Sequence, residues 1–216
     1  SQVPLSDLDR ISANSELEVV TKGYEALTYQ LIVEINHRNE ILANLKVRQA
    51  IAHAIDKKFV VDTVFLGYAA EATGPVPKNA PEFYEPDVEK YPFDVEKAKS
   101  LLDEAGWTPG ADGIREKDGK KLELRFLTDA AEPIEQNTAK FLEPWMKDIG
   151  IQLKNESSDS DTVSELTTKG DYDLYFSGWS INPDPDYQLS INTCGNRPDA
   201  EGNGGTTQDG YCNPEF

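Results

Sequence analysis

Asp184 and Asp186, with Pro185 between them, are a carboxylate pair whose spacing could do chemistry. Two acids this close could share a proton for acid–base work or begin an oxygen-ligand loop for calcium. The further ligands that a calcium loop needs do not follow, and the proline stiffens the backbone between the two acids. The two histidines offer no more. His53 lies inside an Ala/Ile-rich helical stretch, and His37 follows a strand with no Cys or His at ligand spacing. Gly113 to Lys121 has the look of a phosphate loop, but five residues separate its glycines and no Ser or Thr follows the lysines. Gly178-Trp179-Ser180 starts like a nucleophile elbow and lacks the closing glycine, because position 182 is Asn. No catalytic set, cofactor loop or metal centre assembles. The expectation is a protein that is not an enzyme and uses no cofactor.

The same stretch, "FSGWSINPDPDY", carries a different kind of signal. An apolar strand, Leu174 to Phe176, runs through Ser177 and Gly178 into Trp179, and prolines then stop any further ladder. Trp179 could plug the core, flank a metal loop, or form one wall of a binding cleft. An exposed indole beside strand-end backbone groups suits a peptide-like ligand, which can pair with that backbone. Trp107 and Trp145 fall on helix ends or faces and read as packing residues.

The two cysteines, Cys194 and Cys212, share one Gly/Asn/Asp-rich segment with no histidine near it. A zinc site lacks ligands there, and a disulfide closing the loop is a simpler reading than two free thiols. Such a bridge stabilises by about 3 kcal/mol in the loop-entropy picture and places the protein outside the cytosol. The charge points away from nucleic acid. With 21 Lys and Arg against 39 Asp and Glu the net charge is −18, which repels phosphate backbones and anionic membranes. No apolar run reaches the roughly 20 residues of a membrane span. Ser1-Gln2-Val3-Pro4 does not read as a natural start, so the sequence is expected to be a segment of a longer protein.

Several elements must position these residues. Leu17 to Thr21 and Leu27 to Asn36 read as strands. Val47, Ala50, Ile51, Ala54 and Ile55 recur at helical spacing behind an Asn44 cap, and a second short helix ends at Gly67. Five prolines between residues 73 and 92 forbid regular structure and predict an ordered strap. Asp94 caps a helix whose Ala98, Leu101, Leu102 and Ala105 form one stripe, ended by Gly106. Asp118-Gly119 is the turn of a hairpin leading into a strand from Leu122 to Thr128. A helix from Pro133 to Asp148, a strand from Gly150 to Lys154, a helix over 159–169 and a strand from Tyr172 to Ser177 complete a β-α-β-α-β order. That order predicts an α/β lobe with helices packed on a sheet.

Three stretches together resemble one family. "KVRQAIAHAID", then "YPFDVEKAKSLLDEAGW" followed by "DGIREKDGKKLELRFLT", then "DYDLYFSGWSINPDPDYQLS" running on to "GYCNPEF" occur in the order seen in the peptide/nickel class (family 5) of extracellular solute-binding proteins. The resemblance implies a class II periplasmic-binding-protein-like lobe, a mixed sheet flanked by helices, spanning residues 1–216. It also implies a second-lobe segment of a two-lobed protein, with the first lobe and the final segment absent. Such proteins close on a solute and present it to the permease subunits of an ABC importer. The implied setting is extracytoplasmic, with a monomeric protein held by a lipid anchor on a preceding segment.

In the family the residues just after the strand-end Trp meet the ligand, which here implies Trp179, Ser180, Ile181 and Asn182. Two positions depart from the pattern. Peptide binders place an Asp for the ligand's amino group where this sequence has Asn182, and an amide cannot balance an ammonium ion. Asp184 is the nearest substitute. Dipeptide binders place an Arg after the strand that here is read as Leu122 to Thr128; Asp129 stands in that place, and Thr128 and Asp129 are expected to meet the ligand. A free dipeptide is therefore disfavoured, leaving a longer or modified peptide, an oligosaccharide or a cationic compound. Both histidines lie outside the stretches that meet the ligand, which argues against a histidine-bound metal chelate. A receptor of the same fold, sensing a signalling peptide or a cell-wall fragment, is the rival reading.

Overall fold

The structure, a computed structural model, describes residues 5–20, 28–182, 184–199, 203, 205 and 207–215. After a short helix α1 (Leu8–Ser12), strand β1 (Thr28–Ile35) leads into α2 (Leu45–Ala54). The Asn44 side chain caps α2 by accepting from the Lys46 amide. A single turn α3 (Lys57–Phe59) widens into a π-helical stretch over Val60–Val64, and the strap over 73–92 follows. Asp94 caps α4 (Val95–Glu104) by accepting from the Lys97 amide. Gly106 then takes φ +85°, the left-handed conformation that a helix stop demands.

A small antiparallel sheet comes next, built from β2 (Thr108–Pro109), β3 (Arg115–Lys117) and β4 (Lys120–Lys121). Its hairpin turns at Asp118 and Gly119, both at positive φ. The main sheet adds β5 (Glu123–Asp129), β6 (Gln152–Ser158) and β7 (Leu174–Ile181) to β1, with α5 (Pro133–Asp148) and α6 (Ser160–Lys169) as the crossovers. A one-turn helix α7 (Asp186–Ser190) follows β7. The strand order is β1-β7-β5-β6. β5 runs parallel to β6 and β7, whereas β1 runs antiparallel to β7, so the sheet is mixed.

Each face of the sheet is covered. Leu31, Val33 and Ile35 of β1, Leu174 and Phe176 of β7, and Leu124 and Phe126 of β5 pack against the apolar stripes of α2, α4 and α5. On the other face Leu127, Tyr172 and Tyr175 pack with Val163 and Leu166 of α6. The aromatic rings of Phe59, Phe93 and Phe141 gather around Trp145, and Trp107 is buried, so both tryptophans are packing residues.

Two expectations fail. Residues 17–20 carry no regular structure, and Thr21 lies outside the described residues. Leu17 and Val20 are exposed, and β-propensity without a partner ladder does not make a strand. The strand expected to end at Ser177 instead runs on to Ile181, because β1 pairs with it over all eight positions from Thr28↔Ile181 to Ile35↔Leu174.

Candidate functional site: an open strand edge at the end of the parallel ladder

The parallel pairing of β5 with β7 is short. It joins Phe126 to Leu174 and Leu127 to Tyr175, and then the strands part. β5 stays in register with β6 as far as Asp129↔Ser158, and side-chain contacts then shape its turn into α5. Asp129 Oδ1 accepts the Ala131 amide at 2.8 Å, and the Asp129 amide donates to Glu135 Oε2 at 2.9 Å. Gln136 Nε2 donates to the Asp129 carbonyl at 2.8 Å and to Thr128 Oγ1 at 3.0 Å, and Thr128 Oγ1 donates to Asn155 Oδ1 at 3.0 Å. These contacts turn the chain from β5 straight into α5. Among the described residues, β7 is paired on one side only from Phe176 to Ile181. Its other edge offers unpaired backbone groups to any extended chain that reaches them.

Successive residues of β7 point to opposite sides of this edge. Toward α5 stand Gly178 and the exposed Ser180. Tyr29 of β1, 63% exposed, lies across Gly178, and a Cβ there would collide with the Tyr29 hydroxyl. Burial first, then the charges of Glu135 and Glu132, push that hydroxyl's pKa up. Glu135 is only 9% exposed. Burial raises its pKa to about 7, with Asp129 and Glu132 adding to the rise and the Asp129 amide opposing it. This flank of the gap is acidic and holds one carboxyl poised near neutrality.

Toward α6 stand Tyr175, Ser177 and Trp179, with Glu34 of β1 among them. Trp179 is half-buried, its Nε1 donates to Glu34 Oε1 at 3.2 Å, and its ring centre lies 6.5 Å from that of Tyr187. It is therefore neither a bare indole beyond the strand nor a plug of the main core. It is a residue inside the ladder, paired with Gln30. The strap passes on this side, where Gln30 Nε2 donates to the Gly74 carbonyl at 3.0 Å.

The sequence-derived residues are thus divided. Ser180, Trp179 and the backbone of Ile181 belong to the open edge, and the exposed Asn182 follows directly. The Ile181 side chain lies outside the described residues. Asp129 sits across the gap at the end of β5. Thr128 is 0% exposed, and its hydroxyl, engaged on both sides, supports the Asp129 turn. Asp184 is also spoken for locally, since its Oδ1 accepts the Asp186 amide at 3.0 Å and both side chains face solvent. Tyr29, Glu34 and Glu135 escaped the sequence reading. Gly178 was the one available signal, because a glycine inside a strand marks a close approach.

Cys194 and Cys212 form a disulfide. The loop it closes docks on the end of β1, where the His37 amide donates to the Asp209 carbonyl at 2.8 Å and Tyr175 Oη donates to Gln208 Oε1 at 2.6 Å. The two histidines are remote from the edge. His37 packs on Tyr211, its pKa pushed down to about 4 by burial and then by Arg48, and His53 Nδ1 lies 2.7 Å from the Pro92 carbonyl. Among the described residues no three His, Cys, Asp or Glu side chains converge where a metal ion could be held, and no helix is long and apolar enough to cross a membrane.

A mixed sheet with helices on both faces and an open strand edge at the carboxyl end of its parallel ladder defines the periplasmic-binding-protein-like α/β class. Within it, the chain belongs to the bacterial extracellular solute-binding proteins, family 5, whose middle region matches residues 1–200. It is 32% identical over 190 residues to the oligopeptide-binding protein AppA of Bacillus subtilis, an alignment covering 85% of this chain and 34% of that protein. The structure of AppA in complex with a nonapeptide superposes with a TM-score of 0.79 at 27% identity, covering 99% of this chain and 41% of that one. NikZ from Campylobacter jejuni, in complex with Ni(L-His), shares the fold with a TM-score of 0.81 at 24% identity, covering 98% of this chain and 41% of that one. The chain spans about a third of the length of the curated relatives it matches.

Proposed function

We propose that this chain is one lobe of a two-lobed extracytoplasmic binding protein that captures a peptide or peptide-like solute and delivers it to an ABC permease. The observation that carries the reading is the one-sided pairing of β7 from Phe176 to Ile181. An extended peptide supplies the amides and carbonyls that this edge lacks, and its side chains then alternate between the Tyr29 flank and the Trp179 flank. Trp179, Ser180, Ile181 and Asn182 form the contact stretch in this proposal, with Asp129 opposite and Asp184 near the mouth. The likeness to a nonapeptide-bound relative supports a ligand longer than a dipeptide.

The mechanism is hinge closure. A solute that touches both lobes stabilises the closed state by its differential affinity for that state, and no bond is made or broken. The whole protein acts as a monomer, tethered outside the membrane by a lipid anchor on a preceding segment, and has no role with nucleic acid. Native mass spectrometry of the complete protein as purified, with identification of what denaturation releases, tests the reading. A ladder of peptide masses is expected. Release of a sugar or a metal chelate as the bound species would overturn it. In the same protein Trp179→Ala should weaken capture of a released peptide roughly tenfold, and unchanged affinity would remove Trp179 from the site.

A further inference from the structure

We propose that Glu34 is a positioning residue, whose carboxylate holds the Trp179 indole in place along the open edge of β7 and so sets how tightly a solute is captured. The inference rests on the reading of that edge as the ligand site. Glu34 faces Tyr175 across the β1–β7 ladder, whereas Trp179 faces Gln30. Four residues of strand, about 13 Å, separate the two positions along the ladder. They nevertheless meet, with Trp179 Nε1 3.2 Å from Glu34 Oε1. Each long side chain must lean toward the other over Ser177, so the indole is laid along the strand and not left standing away from it. Tyr187 then borders the ring from α7.

The carboxylate is costly where it sits. Burial raises its pKa, with Asp209 adding to the rise, and its polar neighbours Ser177, Trp179 and Tyr175 oppose it; the indole N–H is its hydrogen-bond donor. A charge so placed is a poor device for stability alone, since an apolar or amide side chain of similar size would avoid the desolvation. What the carboxylate adds is a fixed acceptor for the indole N–H, and a charged acceptor binds more strongly than a neutral one. Its surroundings are braced as well. Tyr175, directly opposite Glu34, donates to Gln208 in the loop closed by the Cys194–Cys212 bridge.

The test is a double-mutant cycle in the complete protein, with a pool of random-sequence synthetic nonapeptides as the probe. Trp179→Phe keeps the ring and deletes the N–H, Glu34→Leu deletes the acceptor, and Glu34→Gln keeps a neutral acceptor. Each of the first two should weaken capture roughly tenfold, the loss of one hydrogen bond to a charged group. Their combination should be no worse than either alone, because both remove the same contact. Glu34→Gln should recover most of the affinity. Additive losses, or Glu34→Leu matching the parent while Trp179→Phe does not, would overturn the proposal. A second readout is independent of capture. The Trp179 indole N–H resonance, assigned by its disappearance in Trp179→Phe, should exchange slowly in the parent and quickly in Glu34→Leu; equal exchange in both also overturns it. If the parent captures no nonapeptide, the peptide reading fails, and indole exchange alone then decides the role of Glu34.

Discussion

The two halves of β7 are built under opposite constraints. At Leu174 and Tyr175 the strand is paired with both β1 and β5, the side chains through Phe176 are buried, and Phe126 and Phe176 meet edge to face at 4.8 Å. From Ser177 to Ile181 it keeps only β1 as a neighbour, and its sequence turns to Ser, Gly, Trp and Ser. The first half is fixed by apolar burial, which any packed core supplies. The second half is fixed by particular contacts: Tyr29 over Gly178, and Glu34 on Trp179. A strand can thus be anchored at one end by the core and present an unsatisfied edge at the other. A strand edge that binds an extended chain gains from that combination, because a rigid edge spends less of its binding energy on ordering itself.

Breaking the inner half should have the largest effect. Phe176→Ala should cost about 3–5 kcal/mol of stability, the usual loss for deleting a buried aromatic ring, and a denaturant titration reads it. Ser180→Ala, on the exposed half, should change stability by less than about 0.5 kcal/mol. If both cost the same, the division of β7 into a core half and a free half is wrong. Next in size is the Cys194–Cys212 bridge. Reducing it should lower stability by about 3 kcal/mol in the loop-entropy picture and loosen the loop that carries Gln208 and Asp209. Calorimetry with and without reductant checks this, and an unchanged melting curve would mean that the loop is held by its hydrogen bonds alone.

The sequence made the inner half legible and much of the outer half illegible, for a physical reason. Elements set by local chemistry were readable. The caps at Asn44 and Asp94, the Pro133–Asp148 helix, the Asp118-Gly119 turn and the cysteine-closed loop all depend on residues close together in the chain or on a single available partner. The extension of β7 to Ile181 depends on β1, 149 residues earlier by the Gln30↔Trp179 pairing, and Ser177-Gly178 breaks the apolar pattern that would have announced it. Tyr29, Glu34 and Glu135 act at the site only after two strands and a helix have been brought together. The burial of Thr128 is hidden for the complementary reason, since alternation alone does not tell that both faces of β5 are covered.

Gly178 gives a sharper and smaller test of the outer half. A methyl group there would meet the far end of the exposed Tyr29 side chain, which can swing aside, so Gly178→Ala should cost less than about 1 kcal/mol. Adding Tyr29→Ala should recover most of that loss, because the clash needs both partners. Thermal unfolding of the two single variants and the double variant decides it. If the double variant is no more stable than Gly178→Ala, the glycine is required by the backbone and not by Tyr29.

A further expected effect lies across the gap, at Glu135, and concerns pH. Its folded pKa is raised to about 7, while its ordinary value is 4.5. Between those values the folded chain holds a proton that the unfolded chain releases, so this residue's contribution to stability falls as pH rises from about 4.5 to about 7 and is constant beyond it. The cause is burial first, with Asp129 and Glu132 as unfavourable neighbours. Other groups titrate in the same range; burial of His37, for example, depresses its pKa to about 4 and acts in the opposite sense. The informative quantity is therefore the difference between Glu135→Gln and the parent. The variant's melting temperature should gain on the parent's as pH climbs through that window, and the gain should level off above neutrality. A gap independent of pH would show that Glu135 is already charged at pH 5, its cost offset by the Asp129 amide at the end of β5. The acidic flank of the open edge would then carry a permanent charge toward any bound solute.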